Sequence, residues 1–353
     1  MDSAIPPALR CPRTRTRRIE DDYAPPYPAW VARADPSVGR VVMAYFGVQS
    51  SGEARRAAAR KAIDQIVASL KMDDGPAHHD LAHYVDPESY DTSIAIGYWT
   101  SPERFDRWRS SPGVAGWWDA PERLQEGVGY FREILFPEAE RFETLFSAPD
   151  QLEGVGVAMG ARSAEDIQEH GYWGSMRERL ALSQTDGMSA AGHLVIASGR
   201  LGFGQRLRLN GHENIAVIRS GQDWSATTGR ERDLYLKDME PVLRAGMNFL
   251  RDRGREVGCY SNRYMQHVDG TGRTVEKSFG YSYWRSLSAM ERWSEAHPTH
   301  VEIFGTFMRI VQELKFQLQL RLYHEVSVLK PDQQEYEYVN CHPKTGLLNG
   351  LVA

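Results

Sequence analysis

The sequence predicts an α+β fold made of two successive βαββαβ units, and three observations carry that reading. The hydrophobic period alternates along the chain between about 3.6 residues and two, marking helices and strands in turn. The order of those elements in the first half recurs in the second. Short echoes recur in the same order as well: Tyr98-Trp99-Thr100-Ser101 is matched by Tyr283-Trp284-Arg285-Ser286, Asp106-Arg107-Trp108 by Glu291-Arg292-Trp293, and Tyr130-Phe131-Arg132-Glu133 by Leu322-Tyr323-His324-Glu325. An internal duplication accounts for all three. Each unit then has the element order of a ferredoxin-like fold, and two such sheets face to face make a barrel-like core.

Residues 1–38 are rich in proline and charge, with Pro25, Pro26 and Pro28 interrupting any period, and read as an extended N-terminal arm. The first repeat, 39–150, opens with a strand over Val41–Val48. A helix over 52–70 follows, with Ile63, Ile66 and Leu70 on one face. Strands are expected at His79–Val85 and Thr92–Trp99. Ser101, followed by Pro102, caps a short helix through Trp108, and a strand covers about Val128–Phe136. A connecting region, 151–212, carries Gly154-Val155-Gly156 and Gly202-Phe203-Gly204, which read as turns because neither has a phosphate-loop continuation.

The second repeat, 213–330, has a strand at 214–222, a long helix over Arg230–Arg253, strands at 258–267 and 277–284, and a helix capped by Ser286. Pro298 starts a further helix, and from Leu320 the period becomes two. Residues 331–353 are a closing tail.

At 353 residues, 41% hydrophobic and 25% charged, the chain has the composition of an ordinary globular protein of about two domains. A net charge of −5 gives no reason to expect nucleic acid. No run approaches membrane-spanning length, and the arginine-rich start has no apolar segment behind it. Three scattered cysteines with no CxxC or CxxCH indicate neither a disulfide framework nor covalent haem attachment, and fit a reducing cytoplasm.

The chemistry concentrates in the last helix and strand. His300 heads a helical stripe of Ile303, Phe304, Phe307, Met308, Val311 and Leu314. His324 sits on a strand face with Leu320, Leu322, Val326 and Val328. Most single buried histidines are hydrogen-bonded core residues. Two on adjacent apolar faces, with Ser220 on a strand and an arginine pair, Arg177 and Arg179, beside aromatics, allow more. The duplication sharpens this: His324 aligns with Arg132 and Ser220 lies near Gly47, so neither is required in both halves. An apolar wall with one histidine suits a flat apolar cofactor such as haem b, with His300 as axial ligand. His297, just before Pro298, is the rival ligand, but its place favours a capping role. No HExxH, GxSxG or hard-metal carboxylate cluster is present.

The segments HPTH (297–300), IRSGQDW (218–224), YWGSMRERL (172–180), LRLYHEV (320–326) and EYEYVNCHPKTGLL (335–348) together resemble the haem-containing aldoxime dehydratases, from about residue 20 onward. The resemblance implies a homodimeric haem b enzyme converting an aldoxime, R–CH=N–OH, to a nitrile and water, with the oxime nitrogen bound directly to ferrous iron. It implies His300 as the proximal ligand and Ser220 as the serine that hydrogen-bonds the substrate hydroxyl. His324 resembles the distal acid–base histidine and Arg179 its supporting arginine, with Glu143 a further polar participant. A haem peroxidase or chlorite-decomposing enzyme of ferredoxin-like fold, or a non-catalytic haem-binding protein, is the alternative reading.

Overall fold

A computed structural model describes residues 1–351. The twelve strands of its main sheet are β1 (Val42–Ser51), β2 (His78–Val85), β3 (Tyr90–Trp99), β4 (Gly129–Leu135), β5 (Phe142–Phe146), β6 (Val195–Ser198), β7 (Arg206–Asn210), β8 (Ile215–Asp223), β9 (Cys259–Val268), β10 (Thr274–Trp284), β11 (Arg321–Leu329) and β12 (Gln334–Val339). Their spatial order is β5-β11-β8-β10-β9-β2-β3-β1-β4-β12-β7-β6, every pairing antiparallel. The fold is thus mixed α+β with one long, curled antiparallel sheet. The two halves meet through only two residue pairs, Gln266↔His83 and His267↔Ala82. Curling brings their inner faces together, so that Tyr45 of β1 stacks on Tyr281 of β10 at 4.2 Å.

The helices lie on the outer faces. On the first half, α1 (Glu53–Ser69), α2 (Pro102–Ser110) and α3 (Pro112–Asp119) cover Val42, Ala44, Phe46 and Val48. Phe46 is wedged between Trp108 and Trp118, and losing such a ring costs about 3–5 kcal/mol. Ser101 caps α2 through the Arg104 N–H, as its sequence context predicts. The connecting region holds the short helices α4 (Val155–Met159) and α5 (Ser175–Arg179), and on the second half lie α6 (Gly229–Leu234), α7 (Glu240–Arg253), α8 (Leu287–Ala296) and α9 (Pro298–Glu313). The helix expected to be continuous over 230–253 contains a π-helical stretch at Tyr235–Met239. Pro241 follows at once; it lacks an N–H and its ring crowds the carbonyl four residues back, and the wider turn relieves that crowding.

Three segments outside the predicted strands join the sheet. Strand β5 extends the second half beside β11, the β6–β7 hairpin extends the first, and β12 inserts between β4 and β7. The arm lies along the body, with Ala4, Ile5, Ala29 and Val31 buried, and its residues Ala32–Arg33 pair with Ala161–Arg162. The interior of the curled sheet is unusually polar. Arg219 pairs with Asp80 at 2.7 Å, and Arg263 pairs with Glu133, among buried tyrosines. Removing one partner of such a pair strands a buried charge, so these contacts fix which residues face inward.

A cleft between the second half-sheet and helix α9

Strand β8 lies between β10 and β11, and its outer face bears Ala216, Ile218 and Ser220. Alternation sends Arg219 and Gly221 to the inner face. Gly221 is required there, because a Cβ would stand 2.0 Å from the Tyr323 ring. The β8–β11 register sets Ser220 directly opposite His324, and the β11–β5 register sets His324 opposite Leu145 and Val326 opposite Glu143. Cross-strand partners share a face and bring their Cβ atoms to about 4.5–5.5 Å. Ser220, His324, Leu145 and Glu143 therefore emerge on one outer face. Farther along, Ala216, Val326 and Val328 are packed under α7 and α8, whereas Ile218, Ser220, Leu322 and His324 are only half-buried. Among the described residues no protein group hydrogen-bonds Ser220 Oγ or either nitrogen of His324.

Arg179 ends the short helix α5 (Ser175–Arg179) and is buried. Its Nε and Nη2 donate to the two carboxylate oxygens of Glu143 at 2.7 and 2.9 Å, and its Nη1 donates to the Glu169 carbonyl and Ser175 Oγ. This bidentate fork is the strong form of the arginine–carboxylate contact. Burial raises the Glu143 carboxyl above its ordinary value, with Arg179 pulling it back. Arg177 turns elsewhere, to Glu291 of α8 and the Gly187 carbonyl. His324 is pulled down to about 3, chiefly by burial and then by the positive charges of Arg179 and, when protonated, His300. Its ring is half-covered by contact, yet deep enough for dehydration to dominate.

The facing wall is α9. His297 is its N-cap, its Nδ1 taking the Thr299 N–H at 3.4 Å, and its ring stacks on Phe249 at 4.3 Å. That is the capping role its place before Pro298 predicts. His300 Nδ1 lies 2.7 Å from the Ser294 carbonyl oxygen. A carbonyl only accepts, so Nδ1 carries the proton and Nε2 keeps the lone pair. Trp293 and Trp173 lie edge-on at 4.7 and 5.7 Å from the imidazole. Burial lowers His300 to about 4, the Ser294 carbonyl partly opposing. The ring is thus neutral, oriented from behind and free at Nε2, as an axial ligand must be.

The apolar stripe on α9 is only partly covered. Val311 is buried, Ile303, Phe307, Met308 and Leu314 are half-buried, and Phe304 is 38% exposed. A stripe that strong normally lies flush against a core. Together with the free Nε2, this supplies apolar walls and one neutral nitrogen ligand, a donor set that fits haem.

Two other features hold none of these polar groups, although the first borders the cleft through Trp293. The groove bounded by Gly258, Arg285 and His297 holds none of Ser220, His324, Arg179 or His300. In the Asp86, Glu88 and His342 cluster, His342 already bonds Asp86 at 2.6 Å and Lys344 neutralises Glu88. Sequence reasoning missed Ser294, whose part is played by a backbone carbonyl that leaves no trace in residue type. It also missed Trp173 and Trp293 as walls around His300.

Comparison with known proteins agrees with this donor set. The sequence model of a family described as haem-containing dehydratase matches residues 44–347. An aliphatic aldoxime dehydratase of Rhodococcus globerulus is 51% identical over 352 residues, covering 100% of this chain and 99% of its own. A phenylacetaldoxime dehydratase of Bacillus sp. (strain OxB-1) is 34% identical over 336 residues, 94% of each chain. The crystal structure of an aldoxime dehydratase in complex with butyraldoxime superposes with a TM-score of 0.94 at 50% identity, covering 99% of this chain and 96% of that one.

Proposed function

Because this chain belongs to the haem-containing dehydratase family, we propose that it is an aldoxime dehydratase, a lyase that takes R–CH=N–OH to R–C≡N and water. What supports this assignment of roles is the serine–histidine cross-strand pair, with His300 near enough to act electrostatically on His324 and with its own Nδ1 engaged by a backbone carbonyl. Haem is the cofactor, and we assign His300 as its proximal ligand, held noncovalently. When bound, ferrous haem supplies an iron that holds the oxime nitrogen and feeds electron density toward the N–O bond.

The chain's own residues do the rest. Ser220 Oγ, with no protein partner, orients the substrate hydroxyl. His324 delivers a proton to that oxygen as N–O breaks, because hydroxide leaves poorly. The imidazole then takes the proton from the adjacent carbon, so each turnover is proton-neutral. Acid–base help of this kind is worth about 10²–10⁴ in rate. In the chain alone His324 is neutral near pH 7, so its acid form must be formed within the site. The Arg179–Glu143 pair fixes the polar wall beside it. Half-buried Ile218, Leu322 and Leu145 ring the polar pair and suit an aliphatic R group, as in the relatives named for aliphatic aldoximes.

We read the architecture as a duplicated ferredoxin-like unit. Within 39–150 the spatial order is β4-β1-β3-β2, and within 213–330 it is β11-β8-β10-β9; both are fourth-first-third-second in chain order. Gly47 opposes Phe131 as Gly221 opposes Tyr323. The same alignment sets Phe46 and Arg132 where the second half has Ser220 and His324. The first half packs that outer face with tryptophans; the second leaves it for the cofactor.

We further propose a homodimer. Strand β6 is a sheet edge, with Val195 57%, Ile196 45% and the neighbouring Phe203 63% exposed, and such an edge is normally covered. The three unpaired cysteines suit a reducing cytoplasm. The deciding assay is anaerobic turnover of butyraldoxime by the dithionite-reduced, haem-loaded protein. Butyronitrile is the expected product; no nitrile, or equal turnover by the ferric protein, overturns the mechanism.

A further inference from the structure

The arm makes a contact that bears on the cleft without lining it. Residues 9–23 run along the segment that carries Trp173 and Arg179. Gln184 donates to the Leu9 carbonyl at 2.8 Å and accepts from the Thr14 N–H at 3.0 Å. Gln168 donates to the carbonyls of Asp21 and Tyr23, and Tyr23 Oη donates to the His170 carbonyl. At the centre of this run is Arg18. Its backbone N–H donates to Glu178, the neighbour of Arg179, at 2.5 Å. Its Nη1 donates to the Trp173 carbonyl at 3.2 Å and to Glu295 of α8 at 3.3 Å. Glu295 follows Ser294, whose carbonyl orients His300. The Arg18 side chain packs where Gly174 would carry a Cβ, its Cδ and Nε 2.7 Å from that point, and Gly174 has φ +93°. A side chain at residue 174 would displace the arginine from this position.

Arg18 therefore adds a second tie, beside the Arg177–Glu291 pair, between two walls around His300: the segment with Trp173 and Arg179, and the helix pair α8–α9. We propose that Arg18 is a positioning residue, a latch across these walls that sets how fast haem leaves. The inference rests on the assignment of His300 as the haem ligand. Arg18 and Glu295 are about half exposed (side chains 50% and 44%), so salt screens the contact.

The test is haem transfer from the ferric holoprotein to excess apomyoglobin, followed at the Soret band in low salt and at about 1 M salt. Arg18→Ala and Glu295→Gln should each lose haem about fivefold faster than the unaltered protein in low salt, the scale of one partly exposed charged contact. The double variant should be no faster than either single one. Arg18→Lys should recover part of the retention, and high salt should accelerate only chains that keep the pair. Loss from Arg18→Ala within about 1.5-fold of the unaltered rate overturns the latch, being under 0.3 kcal/mol. So does equal salt acceleration in all chains, or a matching fall in the melting temperature of the apoprotein, which would mark a general loss of stability. His300→Ala, measured alongside, separates the two readings. Rapid haem loss there with an unchanged rate in Arg18→Ala removes the latch alone, whereas haem retained by His300→Ala removes the ligand assignment beneath it.

Discussion

Ser220 and His324 are direct cross-strand partners on the outer face of β8 and β11, while Arg219 and Glu325, one residue earlier on β8 and one later on β11, are partners on the inner face. The polar pair that faces the cleft is thus backed by a buried polar pair in the interior. A slip of β11 by one residue against β8 would split both pairs, turning His324 inward and Glu325 outward.

That relationship predicts the kinetics. His324→Ala should lower kcat by about 10²–10⁴ with a smaller change in KM, because the imidazole acts while N–O breaks. The kcat of the unaltered enzyme should decline as rising pH strips the acid form, and that decline should be absent from His324→Ala. Ser220→Ala should lose less. The double variant should be better than the product of the two single losses, since both serve one leaving group. Steady-state kinetics on reduced, haem-matched proteins measure this; near-normal kcat and an unchanged pH profile in His324→Ala would place the acid elsewhere.

Removing Arg179 should damage stability as well as rate. Both side chains of the Arg179–Glu143 pair are 2% exposed, so Arg179→Ala leaves a carboxylate without its partner. The expected loss is about 3–5 kcal/mol in urea unfolding. The paired variant Arg179→Met/Glu143→Leu should recover most of the stability but not the activity. Recovery of both would mean that the pair only holds the fold.

Haem content should separate the two histidines at the start of α9. His300→Ala should lose the Soret band of the purified protein, and His297→Ala should retain it, with at most about 1–2 kcal/mol lost with the cap. A normal spectrum in His300→Ala would move the ligand to another residue.

Acid should destabilise the protein earlier than carboxylate titration alone would. His170, His267, His300 and His324 are held at about 4, 3, 4 and 3, burial being the first cause in each, against 6.5 for a free imidazole. The unfolded chain takes up these protons as pH falls below 6.5, while the folded chain refuses them. Stability is therefore full above about 6.5 and is lost toward pH 4. Each of the enclosed pair His170 and His267 should contribute up to about 1.4 kcal/mol per pH unit in that window. Urea midpoints between pH 7.5 and 4.5 measure the slope, and His267→Gln should reduce it by about one proton.

Much of the fold was legible because its elements are strongly periodic. Ser101 and Ser286 cap the helices they precede, and Val42–Ser51 and Thr274–Trp284 alternate or run apolar as strands do. Strand β12 was legible too: in Gln334–Val339, Glu335 and Glu337 alternate with Tyr336 and Tyr338, a period that passes unnoticed when a segment is taken as a tail. The β5 and β6 edges were not legible, because four or five residues carry too few periods to stand out. His300, His324 and Ser220 could be found as polar residues on apolar faces. The pairing of Ser220 with His324 could not, since it follows from cross-strand register. Arg177 and Arg179 are two residues apart on one short helix, and only the position of Glu143 distinguishes them.

The two halves of the sheet share one seam of two residue pairs, Gln266↔His83 and His267↔Ala82, whereas β1 and β3 share ten. Backbone hydrogen bonding therefore does little to make the halves cooperate. The four-strand core of each can close from pairings within about 115 residues, with β5 and β12 joining from about 180 and 200 residues away, and what couples the cores is side-chain packing such as Tyr45 on Tyr281. In native-state hydrogen exchange the halves should behave as two foldons. Amides at the seam should exchange through an opening that leaves both ladders protected, and haem held by His300 as proposed should slow exchange chiefly in the second half.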